Sequence, residues 1–354
     1  MVHPTSTSEQ RHYTMKNYQN ILRYAWRAYD HTRSIDTITD ISAEVSTNHV
    51  YKLAMTDGNI LIAKVTFFGS YEAFAEDHVI INVLANNLPV RYADVLSRAL
   101  MKGNQIFFHR YIDAEQDAWI VFYRPIYERA DPPRRLTDEQ VRSLGREMAR
   151  FHSDCTLVAD TLPRSDRNMT TDVNALLSTA PQDYPEHLEL IERHCRLFLE
   201  NTFRINLYGF RRIPVFVDWN IGNFSLDDTG RLSSRWDYDW FRLSTRVTDF
   251  YFLSRVVSDV GDKTVFTYEV DRLLEDRFLL FLEAYHGVFP LTRAEILFMK
   301  ESYRFFLLNY VLRLGRYFFR PRIATQLAHD VLHVHLPTLD EKFSADRILR
   351  TLNL

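Results

Sequence analysis

The spacing of apolar positions changes character near residue 125. Before it, Ile21, Leu22, Ala25 and Trp26 recur so that they share one face of a short amphipathic helix over residues 18–29. Residues 50–55 then alternate between apolar and polar, and residues 60–67 are apolar and rich in strand formers. Thr56-Asp57-Gly58-Asn59 between them is a hairpin-turn signal. A helical spacing follows over about residues 71–85, then two strand-like runs, 105–111 and 119–123, separated by a polar turn. A helix set against an antiparallel sheet predicts an α+β unit over residues 1–125.

Pro125 and Ala130-Asp131-Pro132-Pro133 punctuate the chain, and the pattern after them is helical, predicting a second unit over residues 126–354. Thr137 is the expected N-cap of its first helix, with Gln140 completing a capping box, and Val141, Leu144, Met148 and Phe151 follow at helical spacing. Further helices are predicted near residues 184–200, 247–260, 265–286 and 292–318. Residues 214–240 interrupt them with short apolar runs, a turn at Asp227-Asp228-Thr229-Gly230 and a mixture of acids, amides and aromatics. Irregular polar segments held by a regular scaffold are where chemistry concentrates.

Composition narrows the possibilities. The chain has 354 residues, 46% hydrophobic and 25% charged, enough to bury a core without disulfides or a structural metal. A formal net charge of -3 gives no electrostatic footprint for nucleic acid. Cys155 and Cys195 stand far apart in no metal-ligand spacing, which argues against a zinc site and for a reducing compartment. The polar residues 1–13 read as a disordered lead without a signal-peptide core, and no apolar run is long enough to span a bilayer. A cytoplasmic protein, monomeric or homodimeric, is the expectation.

The segment Val215-Phe216-Val217-Asp218-Trp219-Asn220-Ile221-Gly222-Asn223 is followed by Arg235-Trp236-Asp237-Tyr238-Asp239-Trp240. Phosphoryl transfer needs a carboxylate for the attacking hydroxyl, oxygen ligands for magnesium and a cation on the phosphates. Asp218, Asn223 and Asp237 supply the first two needs, because magnesium takes hard oxygen donors and keeps several waters. Lys64, in the apolar run Leu61-Ile62-Ala63-Lys64-Val65, is the candidate cation; a lysine buried there needs a partner.

These spacings resemble the aminoglycoside phosphotransferase and choline kinase-like superfamily of small-molecule kinases, whose loop runs roughly His-Gly-Asp-x-x-x-x-Asn, then a hairpin, then Ile-Asp. The resemblance implies a two-lobed, protein-kinase-like α+β fold, with a small antiparallel-sheet N-lobe and a larger helical C-lobe. It implies Asp218 as catalytic base, Asn223 and Asp237 as magnesium ligands, and Lys64 on the phosphates of ATP or GTP. Glu76, with Glu72 as second choice, would partner Lys64. Ser46, Thr47 and Asn48 would cap the phosphates, and the backbone around Tyr123 and Ile126 would bond the base. Asp249 and His152 would have structural roles. The pattern departs at Phe216, where the family has a loop-bracing histidine, and at Asn220-Ile221, where it has His-Pro; Asp239 stands open as a further metal ligand.

The implied activity is transfer of the γ-phosphate to a hydroxyl of an aminoglycoside-, amino alcohol- or sugar-like molecule. Phe216 favours the alternative, a pseudokinase-like nucleotide-binding protein with weak or no transfer. Acceptor contacts would come from about residues 155–205 and 265–330, where Glu189, Glu192, Asp271, Glu275 and Glu283 are candidates for a cationic acceptor. No Asp-Phe-Gly or Ala-Pro-Glu appears, which disfavours a protein kinase.

Overall fold

The computed structural model describes residues 18–67, 69–114, 117–125, 132–260 and 267–354; the polar lead and Ile126 lie outside these. The chain begins with helix α1 (Tyr18–Tyr29), strands β1 (Ile35–Asp40), β2 (His49–Met55) and β3 (Ile60–Thr66), and helix α2 (Tyr71–Asn87). A small hairpin of β4 (Met101–Lys102) and β5 (Gln105–Ile106) precedes β6 (Phe108–Ile112) and β7 (Asp117–Tyr123). The main sheet has the order β1-β2-β3-β7-β6, with every neighbouring pair antiparallel.

Strand alternation decides where Lys64 points. Leu61, Ala63 and Val65 of β3 pack with Leu22, Ala25 and Trp26 of α1 in one apolar cluster. Ile62 and Lys64, on the opposite face by the period of two, line a cleft. The β2–β3 turn needs its glycine: Gly58 has φ +82°. Ser70 caps α2 by accepting from Ala73 N at 3.1 Å. Ile80, Ile81 and Leu84 of α2 pack into the large core of the second half, so α2 bridges the two parts.

The second half is largely helical. Helix α3 (Asp138–Val158) carries the capping box at Thr137 and Gln140, and α4 (Met169–Asp183) and α5 (Leu188–Ile205) follow. Four short strands come next: β8 (Ile213–Val215), β9 (Phe224–Leu226), β10 (Leu232–Arg235) and β11 (Arg242–Ser244). Then come α6 (Phe250–Val257), α7 (Asp276–His286) and α8 (Arg293–Phe305), which continues as a π-helical stretch, Phe306–Arg313. The chain finishes with α9 (Gly315–Phe318), α10 (Pro321–Asp330), α11 (Leu336–Lys342) and α12 (Asp346–Leu352). Helices α3 and α7 approach so closely at Gly145 that a Cβ there would sit 2.5 Å from the Phe281 carbonyl oxygen. No helix of the described residues is long and apolar enough to cross a membrane.

The architecture differs from the sequence expectations in several places, among them the helices α10, α11 and α12 beyond residue 318. The exposed edge strand β1 carries too few apolar residues to announce itself. The run 105–111 is two strands, because Phe107 N turns to the Leu100 carbonyl at 2.9 Å instead of joining the main sheet. Helix α4 went unpredicted: Asn168-Met169-Thr170-Thr171 looks like a loop, and Pro181 sits in the helix itself. Yet Asn168 is its N-cap, and Met169, Val173, Leu176 and Ala180 are its buried face.

Candidate active site

The segment that holds Asp218 and Asn223 leaves β8, which pairs with β11. Val217 adopts φ +61°, a costly conformation for a β-branched residue. Asp249 holds it there: its Oδ1 accepts from the amides of Phe216 at 3.0 Å and Val217 at 2.7 Å. Oδ2 of Asp249 lies 3.0 Å from His152 Nε2, and His152 Nδ1 lies 2.9 Å from the Tyr285 hydroxyl. Asp249 and His152 are fully buried. This chain of bonds fixes the turn that presents Asp218.

Asp218 Oδ2 accepts from Asn223 Nδ2 at 3.0 Å, and Asn220 Nδ2 donates to Oδ1. Asn223 thus gives its amide nitrogen to Asp218, which leaves its Oδ1 oxygen for another partner. The β9–β10 hairpin then returns the chain. Trp236 N donates to the Asn223 carbonyl at 3.0 Å, and Asp237 follows at φ +62°. The left-handed turn at Asp237 swings its carboxylate towards β3.

Lys64 Nζ meets two carboxylates, Asp237 Oδ1 at 3.0 Å and Asp239 Oδ1 at 2.5 Å. Asn48 Nδ2 donates to the other oxygen of Asp239 at 2.5 Å. Burial pulls the Lys64 pKa down, but the charges of Asp237 and Asp239 outweigh it and hold the ammonium above its ordinary value. Burial works against ionising Asp237 as well, yet Lys64 keeps its carboxyl below the usual range. Asp239, more enclosed and beside a second carboxylate, is pushed up to about 6, chiefly by burial.

These contacts correct the expected partner of Lys64. The lysine bonds to the hairpin aspartates and not to Glu76, whose Oε1 is buried with no hydrogen-bond partner among the described residues, while Glu72 is exposed. The reason is proximity in space: the fold brings the carboxylates of Asp237 and Asp239 within hydrogen-bond reach of the ammonium. Asp239 therefore faces Lys64 and Asn48, whereas Asp237 remains 36% exposed at the cleft.

The cleft holds a cavity of about 390 Å3, lined among others by Ile62, Lys64, Tyr123, Asn223, Trp236 and Asp237. Tyr123 is fixed by its hydroxyl, 2.5 Å from His78 Nε2 of α2. Ser46, Thr47 and Asn48 are not in this lining; Ile41, Ala43 and Val50 of the same region are. Instead their turn is laced to the end of α9. Thr47 N donates to the Phe318 carbonyl at 3.0 Å, Thr47 Oγ1 to the Tyr317 carbonyl at 2.7 Å, and Arg320 N to the Val45 carbonyl at 3.0 Å. A second cavity of about 330 Å3 lies behind Asp239, with the ion pairs Arg167–Asp77 and Arg242–Asp172 in its wall. Of the acids considered for a cationic acceptor, Glu189, Glu192, Asp271 and Glu283 are exposed, and Glu275 pairs with Arg272.

The sequence reading missed one residue at the heart of this geometry. Arg235 is fully buried, donates to the Asp218 carbonyl at 3.0 Å and the Asn223 carbonyl at 2.9 Å, and lies 5.1 Å from the ring centroids of both Phe216 and Trp219. The signal available was an arginine inside an aromatic segment, two positions before Asp237.

Solved structures share this architecture along nearly the whole chain. An amicoumacin kinase in complex with AMP-PNP and Ca2+ superposes with a TM-score of 0.59 at 15% identity, over 93% of this chain and 95% of that one. A microcompartment-associated aminopropanol kinase gives 0.61 at 14%, over 92% and 99%. An ADP-bound aminoglycoside phosphotransferase gives 0.53 at 12%, over 89% and 98%. No protein-family model matches the chain, and no curated protein matches it by sequence. Identities this low speak for the fold alone: the chain shares the two-lobed architecture of these solved small-molecule kinases.

Proposed function

We propose that the protein is an ATP- and magnesium-dependent phosphotransferase that moves the γ-phosphate to a hydroxyl of a small molecule. The observation that carries this reading is one assembly: Lys64, Asn223 and Asp237 on the wall of one cleft, with Asp218 hydrogen-bonded to Asn223 beside it. The cavity volume lies within the usual range for small-ligand sites. Residues 1–125 would hold the nucleotide, and residues 126–354 would supply the base, the metal ligands and the acceptor site.

The donor set fits a magnesium ion. The second oxygen of the partly exposed Asp237 carboxylate and Oδ1 of Asn223 are hard oxygens that, among the described residues, take no part in the hydrogen bonds with Lys64 and Asp218. One carboxylate and one amide suffice for a metal completed by phosphates and water. When bound, the metal neutralises charge on the phosphates. Lys64 positions the same phosphates from β3, and the backbone near Tyr123 receives the base. Asp218, held by Asn220 and Asn223, orients the acceptor hydroxyl and takes its proton as the oxygen attacks. The similar structures lend support, since one contains AMP-PNP with Ca2+ and another ADP.

A panel of amino alcohols, sugars and aminoglycosides incubated with ATP and magnesium, read by mass spectrometry for a phosphate-sized gain, tests the proposal. Transfer to one class identifies the acceptor. The second reading, nucleotide binding without transfer, is favoured by Phe216 at the family's histidine position. Magnesium-dependent nucleotide binding with no product across the panel would select it.

A further inference from the structure

The catalytic loop lacks the histidine that its relatives use as a brace, yet its carbonyls are bonded. Phe216, in that position, turns its ring into the cluster of Phe151, Trp219, Tyr238 and Phe241 and offers no hydrogen bond from its side chain. The bonds come from Arg235 instead. Arg235 reaches under the loop and places one guanidinium nitrogen on the carbonyl of Asp218 and the other on that of Asn223. These two residues are the first and last of the functional stretch.

We propose that Arg235 is a positioning residue of the active centre: its planar fork ties the two ends of the 218–223 loop and sets the separation between the base and the amide metal ligand. The proposal deepens the phosphotransferase reading and rests on it for the roles of Asp218 and Asn223. Three observations support it. First, the fork is immobilised, because the guanidinium packs against Phe216 and Trp219 in a fully buried site. Second, the backbone of Arg235 is itself anchored. Its amide donates to the Val95 carbonyl at 2.6 Å, and its carbonyl accepts from Ser97 N at 3.0 Å and the Tyr238 hydroxyl at 2.9 Å. The brace is therefore referred to the segment that follows α2, outside the loop it holds. Third, the buried charge is opposed by Asp218 first, then by Asp237 and Asp249, so one cation lies among the carboxylates of the centre. A lysine offers a point charge and cannot reproduce two parallel bonds in a fixed plane.

The test compares Arg235→Lys, which keeps the charge and loses the fork, with Arg235→Met, which loses both. Hydrogen exchange follows the amides of Asp218, Trp219 and Asn223, which are bonded within the loop. AMP-PNP affinity is measured with and without magnesium. In Arg235→Lys these amides are expected to exchange about tenfold faster or more, with α3 and α7 unchanged, because the loop opens locally. The increase in AMP-PNP affinity that magnesium confers should fall, while metal-free affinity stays at the wild-type level. Arg235→Met should show the same pattern more strongly or fail to fold. Unaltered loop exchange in Arg235→Lys, or protection lost evenly across the second half, marks an ordinary core arginine and overturns the proposal. A wild-type chain that ignores AMP-PNP under both conditions defeats the phosphotransferase reading instead, and the exchange rates still decide whether Arg235 braces the loop.

Discussion

Asp218 and Asp239 have separable tasks. Asp218 sits on the loop with both carboxylate oxygens bonded to asparagine amides. Its replacement by alanine is expected to lower turnover about 100-fold or more while nucleotide affinity holds, by calorimetry against a turnover assay. Asp239 instead fixes the cation. Asp239→Asn removes one of the two charges on Lys64 and should weaken nucleotide binding roughly 10- to 100-fold, the range for a hydrogen bond to a charged group. Wild-type affinity in that variant would return the anchoring role to Asp237 alone. His78 gives a pH signature. Burial lowers its pKa from 6.5 to about 4, and its Nδ1 faces the Phe74 carbonyl, so the neutral ring donates there and accepts from Tyr123. The unfolded chain takes up a proton near pH 6.5 and the folded one only near pH 4. Stability from this residue is thus complete above pH 6.5 and falls as pH drops towards 4, by on the order of 3 kcal/mol. His194 is lowered to about 4 as well, so urea titrations of His78→Gln should show a shallower acid slope, not a flat one.

The helices of the second half matter because they support the loop. Helix α3 carries His152, α7 carries Tyr285, and their close contact at Gly145 sets the spacing at which Tyr285 meets His152 while His152 reaches Asp249. Gly145→Ala drives a methyl group into the Phe281 backbone oxygen, and backbone cannot rotate away as a side chain can. The expected cost is about 1–3 kcal/mol, read as a lowered midpoint in thermal or urea unfolding. Thr137→Ala, which removes only the capping box at the exposed end of α3, should cost about 0.5–2 kcal/mol and leave the loop's chemistry intact. These two variants separate the stability of α3 from its placement against α7. The capping box was legible from four residues, whereas the α3–α7 approach was not, since no local pattern says which helix will face Gly145.

Across the whole molecule, the two parts are cross-linked around the cleft. Asn48 and Lys64 bond to Asp239, the turn before β2 is laced to the end of α9, and α2 is buried in the second core. A ligand in the cleft touches both parts and should stabilise them together. AMP-PNP with magnesium at about 100 times its dissociation constant should add about 2.7 kcal/mol, visible as a single shifted thermal transition. An unmoved transition at saturating nucleotide would contradict a nucleotide site in the cleft. The same lacing turns this segment from the cavity: Thr47 bonds a segment some 270 positions away in sequence, and Asn48 bonds Asp239.

Local sequence determined what depends on local physics. The amphipathic face of α1, the Thr56–Asn59 turn, the α3 capping box and the spacing from Asp218 to Asn223 all follow from side chains within a few positions of one another. Tertiary structure decided what depends on juxtaposition. The resemblance implies Glu76 or Glu72 at Lys64, and the hairpin brings Asp237 and Asp239 to it instead. That Phe216 stands where the resembling family has a histidine is legible from the sequence, but the bonds that Arg235 gives the loop are not. Arg235 meets the loop only because β10 folds back beneath it, and a hydrogen bond between segments depends on where the fold carries the donor, which no spacing along the chain records.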